Sequence, residues 1–319
     1  MIIPSGLFQQ NLLISPRCKE GIMVQRNSRT LINSASIKNA LTIDVEDYFH
    51  VAALSQSIKT SQWDSLECRV ERNTEKLLEL FSSRNVKATF FTLGWVAERY
   101  PNIVKKIDAA GHEVASHGYS HQLIYNQAPE VFKEETLKSK NILEDIIQKE
   151  VIGYRAASYS ITNNSKWALD ILCELGFKYD SSIFPVKHDL YGIPGSPRWP
   201  YKLETDNKNT IVEFPISTFD IANYKLPIAG GGYFRLFPYW FTKLGLGSIN
   251  RLNEPFVFYL HPWEIDPQQP RVKASLFSTF RHYNNLEKCY SRLENLLNDF
   301  SFTTVENVLV QKQLLEKRV

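Results

Sequence analysis

The stretch Ser116-His117-Gly118-Tyr119-Ser120-His121 places two histidines four residues apart. In a helical turn or in a tight loop, this spacing brings both imidazoles to one side, where they can bind one metal ion. The preceding residues, Glu113-Val114-Ala115, have the composition of a short strand, so the pair is predicted to follow the carboxyl end of a strand. Two histidines at this spacing also occur on ordinary protein surfaces, so the prediction needs support from elsewhere in the chain.

That support comes from an upstream segment, Leu41-Thr42-Ile43-Asp44-Val45-Glu46-Asp47, which is predicted to be a strand that ends in acidic residues. Because side chains alternate along a strand, Asp44 and Glu46 point to one side and Val45 to the other. An apolar strand has little reason to carry two carboxylates on one face unless a positive charge lies between them. The acids and the histidines together predict a metal site at the carboxyl ends of neighbouring strands.

Composition limits the class of protein. The 319 residues are 43% hydrophobic and 22% charged, which is ordinary for one large globular domain or two small ones. The net charge is +3 and the basic residues form no stripe, so no nucleic-acid partner is expected. No apolar run approaches the about 18 residues of a membrane span. Residues 1–21 lack the apolar core of a signal peptide, so a cytoplasmic location is expected, with export by another route as the alternative.

The order of patterns along the chain predicts parallel β/α units. Residues 1–38 are polar and aperiodic and are predicted to be a disordered tail, whereas 39–319 are predicted to form one folded domain, with a C-terminal extension from about 220. Strands are predicted at 41–47, 86–94, 113–115, 152–157, 177–181, 211–215, 256–260 and 302–305, and helices near 70–81, 101–111, 129–148, 165–175 and 286–297. About seven such units, with polar residues at the strand ends, favour a barrel over an open sheet. The chain has no Gly-x-Gly-x-x-Gly and no phosphate loop, so no nucleotide cofactor is expected.

Five motifs follow one another along the chain, namely Thr42-Ile43-Asp44, the 116–121 stretch, Gly153-Tyr154-Arg155-Ala156-Ala157-Ser158, Tyr179-Asp180-Ser181-Ser182 and Tyr259-Leu260-His261-Pro262. This ordered set resembles the motif series of the polysaccharide deacetylases, the NodB homology group of carbohydrate esterase family 4. The resemblance covers about residues 41–310. The segments 44–49 (DVEDYF) and 230–237 (GGGYFRLF) are most similar to the branch associated with exopolysaccharide gene clusters.

The resemblance implies a distorted, incomplete (β/α) barrel of about seven strands with one divalent metal ion, usually Zn²⁺. His117 and His121 would be metal ligands. Much of the family has adjacent aspartates in the first motif, the second being a ligand, and here that position is Val45. Glu46 fits an alternating version of the motif by strand geometry, and Asp47 is the alternative ligand if the strand ends before it.

The resemblance also implies the catalytic roles. Asp44 would be the general base, held ionised by Arg155. His261 would be the general acid, tuned by Asp180, and the backbone N–H near Ser158 would help bind the oxyanion. These roles suit amide hydrolysis, which requires an activated water, a polarised carbonyl and a proton for the leaving amine. The structural alternatives are a surface ion pair for Arg155 and a turn cap for Asp180.

The implied function is metal-dependent removal of N-acetyl groups from N-acetylhexosamine units of a polysaccharide or its precursor. The alternatives are an allantoinase-like amidohydrolase acting on a small amide and a carbohydrate-binding relative without activity. The last is disfavoured because every candidate catalytic side chain is present. The segment 184–239 is rich in aromatic residues and in loop-forming Pro and Gly, which suits an extended glycan, and Trp199, Tyr233 and Trp263 are candidates for stacking on sugar rings.

Overall fold

The computed structural model describes residues 37–188, 191–221 and 224–318. Its strands are β1 (Lys38–Val45), β2 (Thr89–Thr92), β3 (Glu113–Ser116), β4 (Gly153–Tyr154), β5 (Tyr179–Asp180), β6 (Tyr201–Glu204), β7 (Thr210–Glu213), β8 (Thr218–Ile221), β9 (Tyr224–Pro227), β10 (Val257–Leu260) and β11 (Ser301–Thr303). Seven of them pair in parallel in the order β10-β1-β2-β3-β4-β5-β7, as expected for successive β/α units. The predicted tail lies outside the described residues, except for Ile37 and Lys38.

The barrel is incomplete between β7 and β10. Among the described residues, no ladder of backbone hydrogen bonds joins these two strands. A side chain spans the gap instead, because Ser217 Oγ accepts a hydrogen bond of 2.9 Å from Val257 N. β6 pairs antiparallel with β7, and β11 pairs with the first residues of β1. The predicted distorted, incomplete barrel of about seven strands is therefore confirmed.

The helices are α1 (Val70–Ser83), α2 (Gly94–Arg99), α3 (Pro101–Ala109), α4 (Pro129–Ile147), α5 (Trp167–Glu174), α6 (Gly231–Leu236), α7 (Tyr239–Arg251), α8 (Leu276–Tyr283), α9 (Leu286–Asp299) and α10 (Val305–Gln311). Proline opens α3 and α4, where its missing N–H has no intrahelical partner to lose. The five predicted helices are confirmed, whereas α2, α6, α7, α8 and α10 were not predicted. None of the described helices combines the length and apolar composition needed to cross a membrane.

The parallel arrangement explains why polar residues from distant parts of the chain meet. His117, Arg155 and His261 each follow directly on a strand, β3, β4 and β10 respectively. Because carboxyl ends of parallel strands lie at the same end of a barrel, these side chains share one face. The strand predicted to run through Asp47 ends at Val45, and Glu46 N donates to the Asp44 carbonyl at 2.9 Å. Glu46 therefore lies in a turn after β1.

A glycine fixes the approach of α6 to β10. Gly230 has φ +141° and bridges to Tyr259, and a Cβ on Gly230 would lie 1.9 Å from the Tyr259 carbonyl oxygen. No L side chain fits that contact without moving the backbone. Gly195 also has positive φ, +86°, but a Cβ there would meet no atom within 4 Å.

We expect Gly230→Ala to lower the free energy of unfolding by several kcal/mol, because it combines an unfavourable φ with a clash against backbone. Gly195→Ala is the matched control and should cost only about 1 kcal/mol, since it has the unfavourable φ alone. Urea denaturation monitored by circular dichroism measures both. Equal losses for the two variants would show that the contact with β10 does not constrain the fold.

Candidate active site

Three side chains at the carboxyl end of the barrel form a cluster of possible metal ligands. Ligand atoms of Glu46, His117 and His121 all lie within 4.8 Å of one another. Glu46 Oε2 is buried, has no hydrogen bond of acceptable geometry, and lies 2.9 Å from His121 Nε2. Two imidazoles and one carboxylate are a common ligand set for a catalytic divalent ion. The donor set and the unsatisfied carboxylate oxygen therefore fit a bound cation.

Local structure prepares His117 to bind a metal. Its ring Nδ1 lies 2.8 Å from the Arg155 carbonyl oxygen, which can only accept a hydrogen bond. Nδ1 therefore carries the proton, and Nε2 is left with a free lone pair. Burial lowers the pKa of His117 to about 4, so the imidazole is neutral at neutral pH.

His121 reaches the cluster from a loop. Gly118 and His121 have φ of +72° and +53°, so the segment after β3 is not helical. The sequence left a helical turn and a tight loop as alternatives, and the structure has the loop. A positive φ is uncommon for a residue with a Cβ, and such strain is concentrated at functional sites.

The carboxylate of Glu46 is held in its charged form. Burial alone would raise its pKa, but the neighbouring imidazoles, His121 first and then His261 and His117, lower the pKa well below the usual range. Asp47, the alternative ligand, points elsewhere. Its two carboxylate oxygens accept hydrogen bonds from the backbone N–H groups of Tyr48 and Arg69. Glu46 is therefore the acidic residue that the structure brings to the two histidines.

Asp44 lies beside this cluster in a buried ion pair. Its Oδ1 accepts a hydrogen bond of 2.7 Å from Arg155 Nη1. Arg155 is fully buried and also donates to Thr42 Oγ1 and to Ser181. The alternative of a surface ion pair for Arg155 is therefore wrong. With Oδ1 engaged, Asp44 Oδ2 faces His261 Nε2 at 3.8 Å.

His261 completes the site, and its carboxylate partner is Glu264. Its Nε2 lies 3.4 Å from Glu46 Oε1, while its Nδ1 lies 2.8 Å from Glu264 Oε2. Burial would lower the pKa of His261, but the hydrogen bond and charge of Glu264, helped by Glu46 and Asp44, raise it to about 9. The other carboxylate oxygen of Glu264, Oε1, lies 2.7 Å from Arg235 Nε in a second ion pair. The carboxylate that contacts His261 is therefore Glu264 and not Asp180.

The sequence carries a local signal for the pairing of Glu264 with His261. His261 precedes a short 3-10 turn, Pro262–Ile265, and Glu264 Oε2 accepts a hydrogen bond of 3.1 Å from the His261 backbone N–H. A glutamate three residues after a turn-starting residue commonly folds back in this way. The His-Pro-Trp-Glu order thus indicated the pairing. Arg235, which is distant in sequence, had no such signal.

Asp180 supports Arg155 instead. Its Oδ1 accepts a hydrogen bond from Ser182 Oγ, and its carboxyl group is buried beside that of Glu213. Burial raises the pKa of Asp180 to about 6 and that of Glu213 well above its usual value. This pair fixes the turn from which Ser181 accepts hydrogen bonds from Arg155. The turn-cap alternative for Asp180 thus fits the structure.

The cluster opens into a cavity of about 400 Å³ with largely aromatic walls. Tyr233 and Trp263 line it, but Trp263 stacks with His261 and with His282 and is only 5% exposed, which leaves little of its surface for a sugar. Trp199 packs against the core and does not line this cavity. Further aromatic walls, which the sequence did not single out, are Tyr159, Phe184, Tyr191 and Tyr259. Ser158 also lines the cavity and has φ +50°.

Parts of this sequence are similar to known protein families. Residues 61–179 match the family model described as polysaccharide deacetylase, and residues 181–310 match the model of a domain of unknown function, DUF3473. The peptidoglycan deacetylase of Helicobacter pylori is 32% identical over 124 residues, which are 39% of this chain and 41% of that protein. A peptidoglycan-N-acetylglucosamine deacetylase of Bacillus cereus is 36% identical over 98 residues, 30% of this chain and 36% of that protein. The chain therefore spans less than half the length of these relatives.

Solved structures are similar over most of the chain. A candidate polysaccharide deacetylase from Mycobacterium smegmatis has a TM-score of 0.57 at 17% identity, with 88% of this chain and 93% of that chain covered. Puue allantoinase has a TM-score of 0.58 at 15% identity, with 89% of this chain and 94% of that chain covered. At these identities the likeness shows the fold alone. These matches show that this chain carries a polysaccharide deacetylase domain, which the family model matches over residues 61–179.

Proposed function

We propose that this protein is a metal-dependent hydrolase that removes N-acetyl groups from N-acetylhexosamine units of a polysaccharide or its precursor. One observation carries the proposal: Asp44 and His261 flank the cluster of Glu46, His117 and His121, and all five line a single cavity. The names of the relatives, peptidoglycan, chitooligosaccharide and chitin deacetylases, support an acetylated glycan as the substrate. The similarity of segment 44–49 to the exopolysaccharide-associated branch favours an exopolysaccharide.

We infer that Glu46, His117 and His121 hold one divalent ion, with zinc as the first candidate because of the two imidazoles. When bound, such an ion lowers the pKa of water and polarises a carbonyl group. Asp44 is placed to act as the general base. Arg155 fixes its Oδ1 and leaves Oδ2 directed at the site, where it can take a proton from the attacking water.

His261 is placed to act as the general acid. With a pKa near 9 it is protonated at neutral pH, and its Nε2 faces the cluster. It can therefore donate a proton to the leaving amine. Glu264 and Arg235 hold the ring in orientation through Nδ1. The backbone N–H near Ser158 is our candidate donor to the oxyanion, since this residue lines the cavity.

Acetate release tests the proposed function. The zinc-loaded protein should release acetate from N-acetylglucosamine oligomers and leave allantoin unchanged, because a cavity of about 400 Å³ with aromatic walls suits a glycan better than a small cyclic amide. The Asp44→Asn variant is the blank for contaminating activity. Turnover of allantoin alone would assign the protein to the allantoinase-like alternative, whose fold is equally similar.

A matched pair of variants tests the separation of ligand and base. His117→Ala should lose the bound ion and the activity, because it removes one of three ligands. Asp44→Asn should keep the ion while kcat falls by roughly 10²-fold or more, the usual scale for a lost general base. Metal content after dialysis and steady-state rates measure both. Loss of the ion from Asp44→Asn would make Asp44 a ligand and not the base.

A second pair tests which carboxyl group orients His261. Glu264→Gln should lower kcat by roughly 10- to 100-fold, the usual effect of removing an orienting carboxylate. Asp180→Asn should lower it much less, because the described carboxylate at His261 Nδ1 is Glu264 and a neutral amide can occupy the buried position beside Glu213. Rates are compared at equal metal content. A larger loss in Asp180→Asn would restore the assignment made from the sequence.

A further inference from the structure

The surface beside the cavity carries an apolar helix face with no partner among the described residues. On α8, the side chains of Leu276, Phe277 and Phe280 are 91%, 69% and 55% exposed. Their spacing places them on one side of the helix, while His282 on the opposite side is buried against Trp263. Three large apolar groups in so short a segment exceed the isolated exposed residues that ordinary surfaces carry.

The helix is held firmly, so this exposure is a property of the fold. Ser275 Oγ accepts a hydrogen bond of 3.1 Å from Ser278 N at the start of α8. At its end, the Arg235 guanidinium donates to the carbonyl oxygens of Arg281, His282 and Asn284 at 3.1, 2.8 and 2.9 Å. These contacts satisfy backbone groups that a helix end leaves free. α8 therefore presents the three apolar side chains from a fixed position.

The charged residues of the segment that contains α8 are all basic. Arg271, Lys273 and Arg281 are exposed, and residues 267–286 contain neither Asp nor Glu. Phe277, Phe280 and Arg281 also line the mouth of the cavity. We call Arg271, Lys273, Leu276, Phe277, Phe280 and Arg281 the rim patch. It combines exposed apolar groups with three cations at the entrance to the proposed active site.

We propose that the rim patch docks on an anionic lipid bilayer and holds the mouth of the cavity against it. Apolar side chains that enter the interface, flanked by Lys and Arg that meet anionic headgroups, are the pattern of peripheral membrane helices. A second copy of the chain fits less well, because a two-fold contact would place the cations of the rim patch against themselves. A glycan carried at the bilayer would meet the cavity directly, and this consequence, unlike the docking, rests on the proposed function.

Vesicle sedimentation tests the docking. The full chain should sediment with vesicles that contain phosphatidylglycerol and much less with pure phosphatidylcholine, and added salt should release it. Leu276→Ser should lower the partition coefficient, and Phe277→Ser together with Phe280→Ser should lower it by roughly tenfold or more, since apolar groups leave the interface. Lys273→Gln should lower it roughly fivefold, the effect of about 1 kcal/mol per cation.

The control is Leu252→Ser, which removes a leucine that lies outside the rim patch and is 62% exposed, an exposure between those of Phe280 and Phe277. This variant should bind vesicles as well as the unchanged chain does. Circular dichroism confirms that each variant is folded. Equal sedimentation of all variants would overturn the proposal. So would self-association that depends on Leu276, measured by analytical ultracentrifugation, without any binding to vesicles. Neither result bears on acetate release from soluble oligomers, so the proposed function is tested separately.

Discussion

The ion pair between Arg155 and Asp44 is the interaction on which the rest of the site depends. A buried guanidinium is costly unless its donors are all engaged, and Arg155 engages Asp44, Thr42 and Ser181. These partners lie on or just after β1 and β5, so the arginine after β4 ties three strand ends together inside the barrel. Its own carbonyl oxygen also orients His117. One buried charge thereby organises the proposed base and one proposed metal ligand.

The sequence predicted those parts of the fold that have a regular apolar pattern or a proline or glycine at an element's end. It failed where tertiary packing overrides local preference. α7 contains Gly245, a poor helix former, and a Cβ there would lie 2.3 Å from the terminal Cδ1 of Ile228, so the helix packs closely at this glycine. α8 was missed because its apolar residues face outward and leave no core-facing pattern. The predicted strand 152–157 pairs only over Gly153–Tyr154, since the chain then turns to place Arg155.

The sequence grouped side chains whose pattern is local, and it missed contacts that span the fold. Strand alternation singled out Glu46, which the structure brings to the two histidines from a turn after β1 and not from the strand itself. Asp180 was assigned to His261 through the resemblance, whereas this chain supplies Glu264 from the next turn. Arg235 reaches that pair from α6, and no pattern within one segment can reveal such a contact. The expectations for the domain boundaries and the cytoplasmic location stay predictions.

The central claim is that Glu46, His117 and His121 bind one ion while Asp44 and His261 stay outside its coordination sphere. A crystal structure of the zinc-loaded protein with anomalous data at the zinc edge tests this most directly. The account predicts one anomalous peak at bonding distance, about 2.0–2.2 Å, from one atom of each of the three residues. A peak bonded to Asp44 or His261, or one located away from the three residues, would contradict it.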